Sequence, residues 1–86
     1  MANARTAWQE GRTEEALLLL QQPVLKEDVG ALFLMGEIYY NSQKWGAALN
    51  SFNRCLQRQP DLQAAQTYVD MIKNILSFFH TDQFNP

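Results

Sequence analysis

Apolar residues recur every three or four positions along most of the chain, which is the spacing that one face of an α-helix produces. The clearest case runs from Trp45 to Leu56, where polar residues fill the opposite side. Pro60 follows, and the residue before a proline avoids helical geometry. The pattern predicts an amphipathic helix whose buried stripe is Trp45, Ala48, Leu49, Phe52, Cys55 and Leu56.

The same spacing predicts four further helices, which makes about five in all. They are expected at Ala4–Gln9, 13–21, Val29–Asn41 and 61–79. Residues with a suitable side-chain oxygen stand at three of the predicted starts, namely Thr13, Glu27 or Asp28, and Asp61. Only a short turn separates Asn41 from Trp45, so the two helices that it joins must lie antiparallel as a hairpin.

The chain also contains an internal repeat. When GRTEEALLLL (11–20) is aligned with QKWGAALNSF (43–52), Ala16 falls on Ala48. A large apolar residue then follows four positions later in both segments. Repeats of this length that are built from helix pairs are typical of solenoids, in which each unit packs against its neighbours.

Residues 29–62 resemble the tetratricopeptide repeat (TPR) family, whose pattern is W-x-x-L-G-x-x-Y…A-x-x-x-F…A…P. The residues that match in order are Gly36, Tyr39, Ala48, Phe52 and Pro60. Leu32, Met35 and Cys55 replace the usual aromatic residue, leucine and alanine. We expect Gly36 and Ala48 where the two helices cross closely, and Tyr39 and Phe52 between one hairpin and the next.

The resemblance implies an all-α fold of antiparallel helical hairpins, stacked as a short right-handed TPR superhelix, an α–α solenoid. We expect a single TPR domain over 1–79, made of a partial repeat 1–28, a full repeat 29–62 and a capping helix 61–79, with a C-terminal tail 80–86. Asp70 and Lys73 stand where the family has glycine and a large aromatic residue, which suits a terminal helix. The chain is similar to the small stand-alone TPR proteins of bacteria.

In TPR proteins the first helix of each hairpin lines a concave groove that holds a segment of a partner. Carried onto this chain, the resemblance assigns partner binding to Trp8, Phe33, Glu37, Tyr40, Asn41, Tyr68 and Met71, with Arg5, Gln9, Gly30 and Thr67 beside them. Phe33, Glu37 and Tyr40 share one stripe by helical geometry alone. Packing between hairpins is the competing interpretation for Trp8, Phe33 and Tyr40.

The predicted groove differs from that of the TPR proteins that bind chaperones. Those grip the terminal carboxylate of a peptide with paired Lys, Arg and Asn residues, whereas the matched positions here are Phe33, Leu34 and Glu37. A carboxylate clamp is therefore not expected. An aromatic groove with few polar groups suits an extended or helical segment with apolar anchors.

The last predicted helix carries two apolar stripes. The first is Leu62, Ala65, Val69, Ile72, Leu76 and Phe79, and the second is Tyr68, Met71, Ile75 and Phe78. A terminal helix should turn a polar face to water, so the second stripe needs a cover. Three covers remain open: the tail with Phe84 as its anchor, a second copy of the chain in a homodimer, or a partner that enters a continued groove.

Composition narrows the function classes. The chain has 86 residues, which is one domain, with 47% hydrophobic and 12% aromatic residues. The net charge is −2 and the seven Lys and Arg residues are scattered, so no nucleic-acid partner is expected. The N-terminus lacks the apolar core of a signal peptide, and the run Ala16–Leu20 is too short to span a membrane. We expect a cytoplasmic protein with no membrane partner.

No catalytic or metal-binding pattern is visible. Cys55 and His80 are the single cysteine and histidine, and neither belongs to a known ligand spacing or nucleophile motif. We therefore expect no enzyme activity, no cofactor and no metal. The expected function is a scaffold for protein–protein interaction that binds a protein or peptide segment, and the alternative is a self-associating unit that dimerises through its last helix.

Overall fold

The structure is a computed structural model that describes residues 2–79, with side-chain surroundings described for residues 4–78. Its elements in chain order are α1 (Ala2–Gln9), α2 (Thr13–Leu20), a 3-10 turn (Pro23–Leu25), α3 (Val29–Asn41), α4 (Trp45–Arg58) and α5 (Gln63–Phe79). Residues 2–79 contain no strand. The prediction of an all-α fold with five helices is confirmed.

The helix starts agree only in part with the expected caps. Asp28 caps α3, because its Oδ1 accepts a hydrogen bond of 2.9 Å from the backbone N–H of Ala31. Thr13 is the first helical residue of α2, so the expectation that it caps this helix is wrong. Helix α5 begins at Gln63, later than the expected cap Asp61.

Two turns in the left-handed backbone region connect the paired helices. Gly11, between α1 and α2, has φ of +86°, and Gln43, between α3 and α4, has φ of +62°. Glycine adopts this region freely, whereas a residue with a Cβ does so at a cost. The turn at Gln43 lets α4 fold back along α3, with which it makes the most extensive packing in the described chain.

Helix α3 is buried on two sides and belongs to two cores. The N-terminal core joins α1, α2 and α3 through Ala4, Ala7, Ala16, Leu20, Ala31, Leu34 and Ile38. The C-terminal core joins α3, α4 and α5 through Leu32, Ala48, Phe52, Cys55, Ala65, Val69 and Ile72. Burial of apolar surface is the main stabilising term in folding, and α3 buries apolar side chains in both cores. This explains why the sequence of α3 is apolar around most of its circumference.

The small residue Gly36 lies against the facing helix α4. It is buried, and the atoms nearest to the position of a Cβ are those of the Phe52 ring. Ala48 is also fully buried, as expected. The glycine of α3 therefore makes room for an aromatic side chain of α4.

The surface of α5 shows which of its stripes is covered. The first stripe is buried at Ala65, Val69 and Ile72. Of the second, Met71 and Phe78 are 37% and 78% exposed. The polar residues of α5 at the family's glycine and aromatic positions, Asp70 and Lys73, are both exposed. The predicted tail and its anchor Phe84 lie outside the described residues, so this cover stays a prediction, as does the division into repeats, capping helix and tail.

Candidate functional site

Side chains from three helices meet around Glu37 in the middle of α3. Nη2 of Arg5, on α1, lies 3.5 Å from Oε1 of Glu37. The phenol O–H of Tyr68, on α5, donates to Oε2 of Glu37 at 3.4 Å. Phe33 and Tyr40 lie about one turn away on either side of Glu37 along the same helix face. We call Arg5, Phe33, Glu37, Tyr40 and Tyr68 the Glu37 face.

The aromatic rings near Glu37 form a continuous cluster with Tyr68 at its centre. The Tyr68 ring stacks on Phe52, with centroids 4.5 Å apart and an angle of 6° between the ring planes. It meets Phe33 and Tyr40 edge-on at 5.8 and 5.1 Å. Phe33 also meets Phe52 at 5.3 Å, and Tyr40 meets Trp45 at 5.3 Å. Each such pair contributes about 0.5–1.5 kcal/mol beyond its buried area, so the rings are held in place.

Only one of the two carboxylate oxygens of Glu37 accepts a hydrogen bond within the described residues. Its side chain is 20% exposed, whereas that of Arg5 is 53% exposed. Oε1 is shielded from solvent and accepts no hydrogen bond, because Arg5 approaches at ion-pair distance without the geometry of a hydrogen bond. Burial raises the pKa of Tyr68, and the neighbouring charge of Glu37 raises it further. Tyr68 is therefore a neutral donor to Glu37 over the physiological range of pH.

The other residues assigned to partner binding lie in different surroundings. Asn41 is exposed, and its side-chain amide donates to the carbonyl of Glu37 at 2.9 Å. Trp8 is half-buried and packs against the N-terminal core. Met71 is partly exposed on α5, and Ile75 is half-buried. The structure thus brings Phe33, Glu37, Tyr40 and Tyr68 into one cluster, and Trp8 instead belongs to the packing of α1.

Two rings of the cluster were not among the predicted site residues. The hydrophobic pattern assigns Trp45 and Phe52 to the buried stripe of α4, and the structure buries Phe52 fully while leaving Trp45 half-buried. Each ring also contacts a predicted site residue, since Trp45 meets Tyr40 and Phe52 meets Phe33. The repeat pattern offered one signal for Phe52, because it placed this residue between neighbouring hairpins.

A polar cleft of about 320 Å³ lies between the α2–α3 connection and α4, away from Glu37. Its lining is Glu27, Leu32, Arg54, Gln57 and Arg58. Both arginines already have partners: Arg58 pairs with Glu27, and Nη2 of Arg54 donates to the carbonyl of Lys26 at 3.2 Å. These contacts fasten the connection to α4, which is a structural role.

Cys55 lies at the centre of the C-terminal core. It is fully buried, and its thiol lies 3.6 Å from the carbonyl oxygen of Val29. Burial raises the pKa of Cys55 to about 11. A thiol that stays protonated and buried is a poor nucleophile, so its place in this structure is a packing one. The predicted structural role of His80 lies outside the described residues.

The arrangement defines the class of protein. Pairs of helices share α3 between two successive cores, as units of a helical-repeat protein do. The family model described as tetratricopeptide repeat matches residues 29–62, which contain α3 and α4, so this segment is similar to a repeat of that family. Neither the search of curated proteins nor that of solved structures returned a match. Repeats of this family are generally modules for protein–protein interaction rather than enzymes.

Within residues 2–79 no helix is both long enough and apolar enough to cross a bilayer.

Proposed function

We propose that this chain is a non-enzymatic interaction module that holds a peptide or helical segment of a partner protein against the Glu37 face. The observation that carries the proposal is that Glu37 contacts both Arg5 of α1 and Tyr68 of α5. In the division into repeats that the family resemblance implies, α1, α3 and α5 correspond to the first helices of successive repeats, which line the groove in this family. Their side chains therefore meet on one side of the molecule.

The chemistry of the Glu37 face supports a protein partner. Phe33, Tyr40 and Tyr68 are half-buried, so each offers part of a ring while neighbouring rings hold it in place. Fixed aromatic residues lose little conformational entropy on binding and are frequent among the residues that dominate interface energies. The carboxylate and phenol oxygens between them give the surface polar groups that orient a ligand.

A peptide selection tests this proposal. A random dodecapeptide library displayed on phage is selected on the immobilised protein, and the dissociation constants of recovered peptides are measured for the wild type and for Tyr40→Ala. We expect Tyr40→Ala to weaken binding about tenfold, because it removes one of the three aromatic side chains of the Glu37 face. Leu18→Ala is the matched control, since Leu18 is 69% exposed on α2 and lies outside the Glu37 face.

Thermal unfolding of each variant separates loss of binding from loss of fold. Should Tyr40→Ala prove unstable, Asn41→Lys replaces it, because Asn41 is exposed next to the Glu37 face. Recovery of no peptide above background, or equal affinities for the wild type and the groove variants, would refute the proposed surface.

Self-association through α5 is the second candidate function. The observation that favours it is the exposure of Met71 and Phe78, large apolar residues on the helix that ends the described stack. Exposed apolar residues on one helix face are typical of protein contacts. Sedimentation velocity at micromolar concentration tests the idea: a dimer that Phe78→Ser converts to a monomer, and Leu18→Ser does not, supports it. A monomeric wild type would exclude it.

A further inference from the structure

We propose that Glu37 anchors a basic side chain, lysine or arginine, of the bound segment, and that Arg5 occupies the position of this cation in the free protein. The inference rests on the proposed function and names the chemistry of its partner. Three observations carry it: an unsatisfied carboxylate oxygen, the aromatic rings around it, and an exposed internal cation that is poorly engaged.

The first observation is the state of the Glu37 carboxylate. Oε2 accepts the hydrogen bond from Tyr68, but Oε1 accepts none although it is shielded from solvent. A buried acceptor without a donor is unfavourable, and most such groups in folded proteins are satisfied. A carboxylate binds cationic donors most strongly, so an ammonium or guanidinium group is the ligand that this oxygen favours.

The second observation is the aromatic surroundings. The ring of Tyr40 lies between those of Tyr68 and Trp45, at centroid distances of 5.1 and 5.3 Å. Aromatic faces attract Lys and Arg cations, and the attraction increases when water is excluded. The methylene groups of the same side chains pack well against apolar surface. A carboxylate next to aromatic rings therefore suits a basic residue better than an acidic one, which Glu37 would repel.

The third observation is the weak engagement of Arg5. Its side chain is 53% exposed and approaches Oε1 only to 3.5 Å, without a hydrogen bond. Ion pairs with an exposed partner contribute little to stability, so a cation from a partner displaces Arg5 at small cost. Arg5 keeps the carboxylate of Glu37 compensated in the free protein and competes mildly with the ligand.

The experiment uses peptides selected from the random dodecapeptide library on the wild-type protein. We expect Lys or Arg at one enriched position, and replacement of that residue by norleucine to weaken binding to the wild type about tenfold. Against Glu37→Gln the two peptides should bind alike, since the isosteric amide carries no charge. Glu14→Gln, on the exposed side of α2, is the matched control and should keep the tenfold preference.

Arg5→Ala tests the competing cation. It should bind the basic peptide severalfold more tightly than the wild type does, while Arg12→Ala, whose partners are Glu10 and Glu15, should not. Weaker binding by Arg5→Ala would overturn the role given to Arg5. The comparison of peptides on the wild type needs no folded variant, so equal binding of the basic peptide and its norleucine form would refute the inference even if Glu37→Gln is unstable.

The outcomes also separate this inference from the proposed function. If selected peptides lose affinity for Tyr40→Ala but show no dependence on a basic residue or on Glu37, the basic anchor is wrong and the interaction module stands. If the library yields no peptide, both are rejected.

Discussion

The ring of Phe52 occupies the space that any side chain at Gly36 would need. A Cβ atom at position 36 would lie 2.6 Å from Cζ of Phe52, and 2.7 and 2.8 Å from its two Cε atoms. Phe52 is fully buried and stacked on Tyr68, so it cannot move aside cheaply. Gly36 is therefore required because it admits a ring from the facing helix of the same hairpin.

Gly36→Ala should lower the free energy of unfolding by about 1–3 kcal/mol, the usual cost of overpacking a core, despite the better helix propensity of alanine. Urea denaturation measures the change. Gly46→Ala in α4 is the matched control, because a Cβ there would meet no atom within 4 Å. The control should be as stable as the wild type or up to about 1 kcal/mol more stable. Equal stability of the two variants would contradict the packing of Gly36 on Phe52.

Two substitutions at Tyr68 separate the contributions that its ring and its hydroxyl group make to stability. Tyr68→Phe keeps the stack on Phe52 and loses only the hydrogen bond to Glu37, so it should cost about 1 kcal/mol or less. Tyr68→Ala removes three ring contacts and should cost at least about 2 kcal/mol. Thermal or urea unfolding compares the two. A similar loss for both would mean that the hydroxyl, and not the aromatic cluster, determines the stability of the Glu37 face.

The hydrophobic pattern predicted the helices because each helix buries a stripe at helical spacing. Trp45–Arg58 illustrates this, since the period alone indicates its buried apolar residues Ala48, Phe52 and Cys55. Ser51, which the pattern places on the polar side, is buried as well. The fold class followed from the same period together with the match to a repeat pattern. The cap of α3 was predictable only to Glu27 or Asp28, since both offer a side-chain acceptor before the helix, and the structure shows that Asp28 is the cap.

The contacts between helices were less predictable. The pattern placed Phe33 and Tyr40 on one stripe, but it did not show that both would touch Tyr68 far along the chain. Such contacts depend on crossing angles and distances between helices, which periodicity does not contain. The contact between Arg5 and Glu37 could not be predicted for the same reason, since it depends on how α1 packs beside α3. Packing does not by itself decide against binding for these rings, because Phe33 and Tyr40 contact other rings and are still only half-buried.

The turn between α3 and α4 offers a test of backbone strain. Gln43 has φ of +62°, a conformation that costs a residue with a Cβ about 1 kcal/mol and glycine almost nothing. Gln43→Gly should therefore raise the free energy of unfolding by up to about 1 kcal/mol, with the entropy of the unfolded glycine offsetting part of the gain. Ser42→Gly, at the adjacent position with φ of −91°, should not stabilise the protein. Destabilisation by Gln43→Gly would show that this turn is not strained.

The buried thiol of Cys55 should make the protein sensitive to alkaline pH. Burial raises its pKa from 9.0 to about 11. Because the folded state holds the proton more tightly, this contribution to stability is complete below about pH 9 and is lost as the pH rises from 9 through 11. One pKa unit corresponds to about 1.4 kcal/mol, so the loss amounts to at most about 3 kcal/mol. Urea denaturation of the wild type and of Cys55→Ala between pH 7 and about pH 11 measures this loss. The free energy of unfolding should decline less at alkaline pH in the variant, which lacks the thiol but keeps other titrating groups such as Tyr68. A thiol that reacts with a disulfide reagent as fast in the native protein as in urea would contradict its burial.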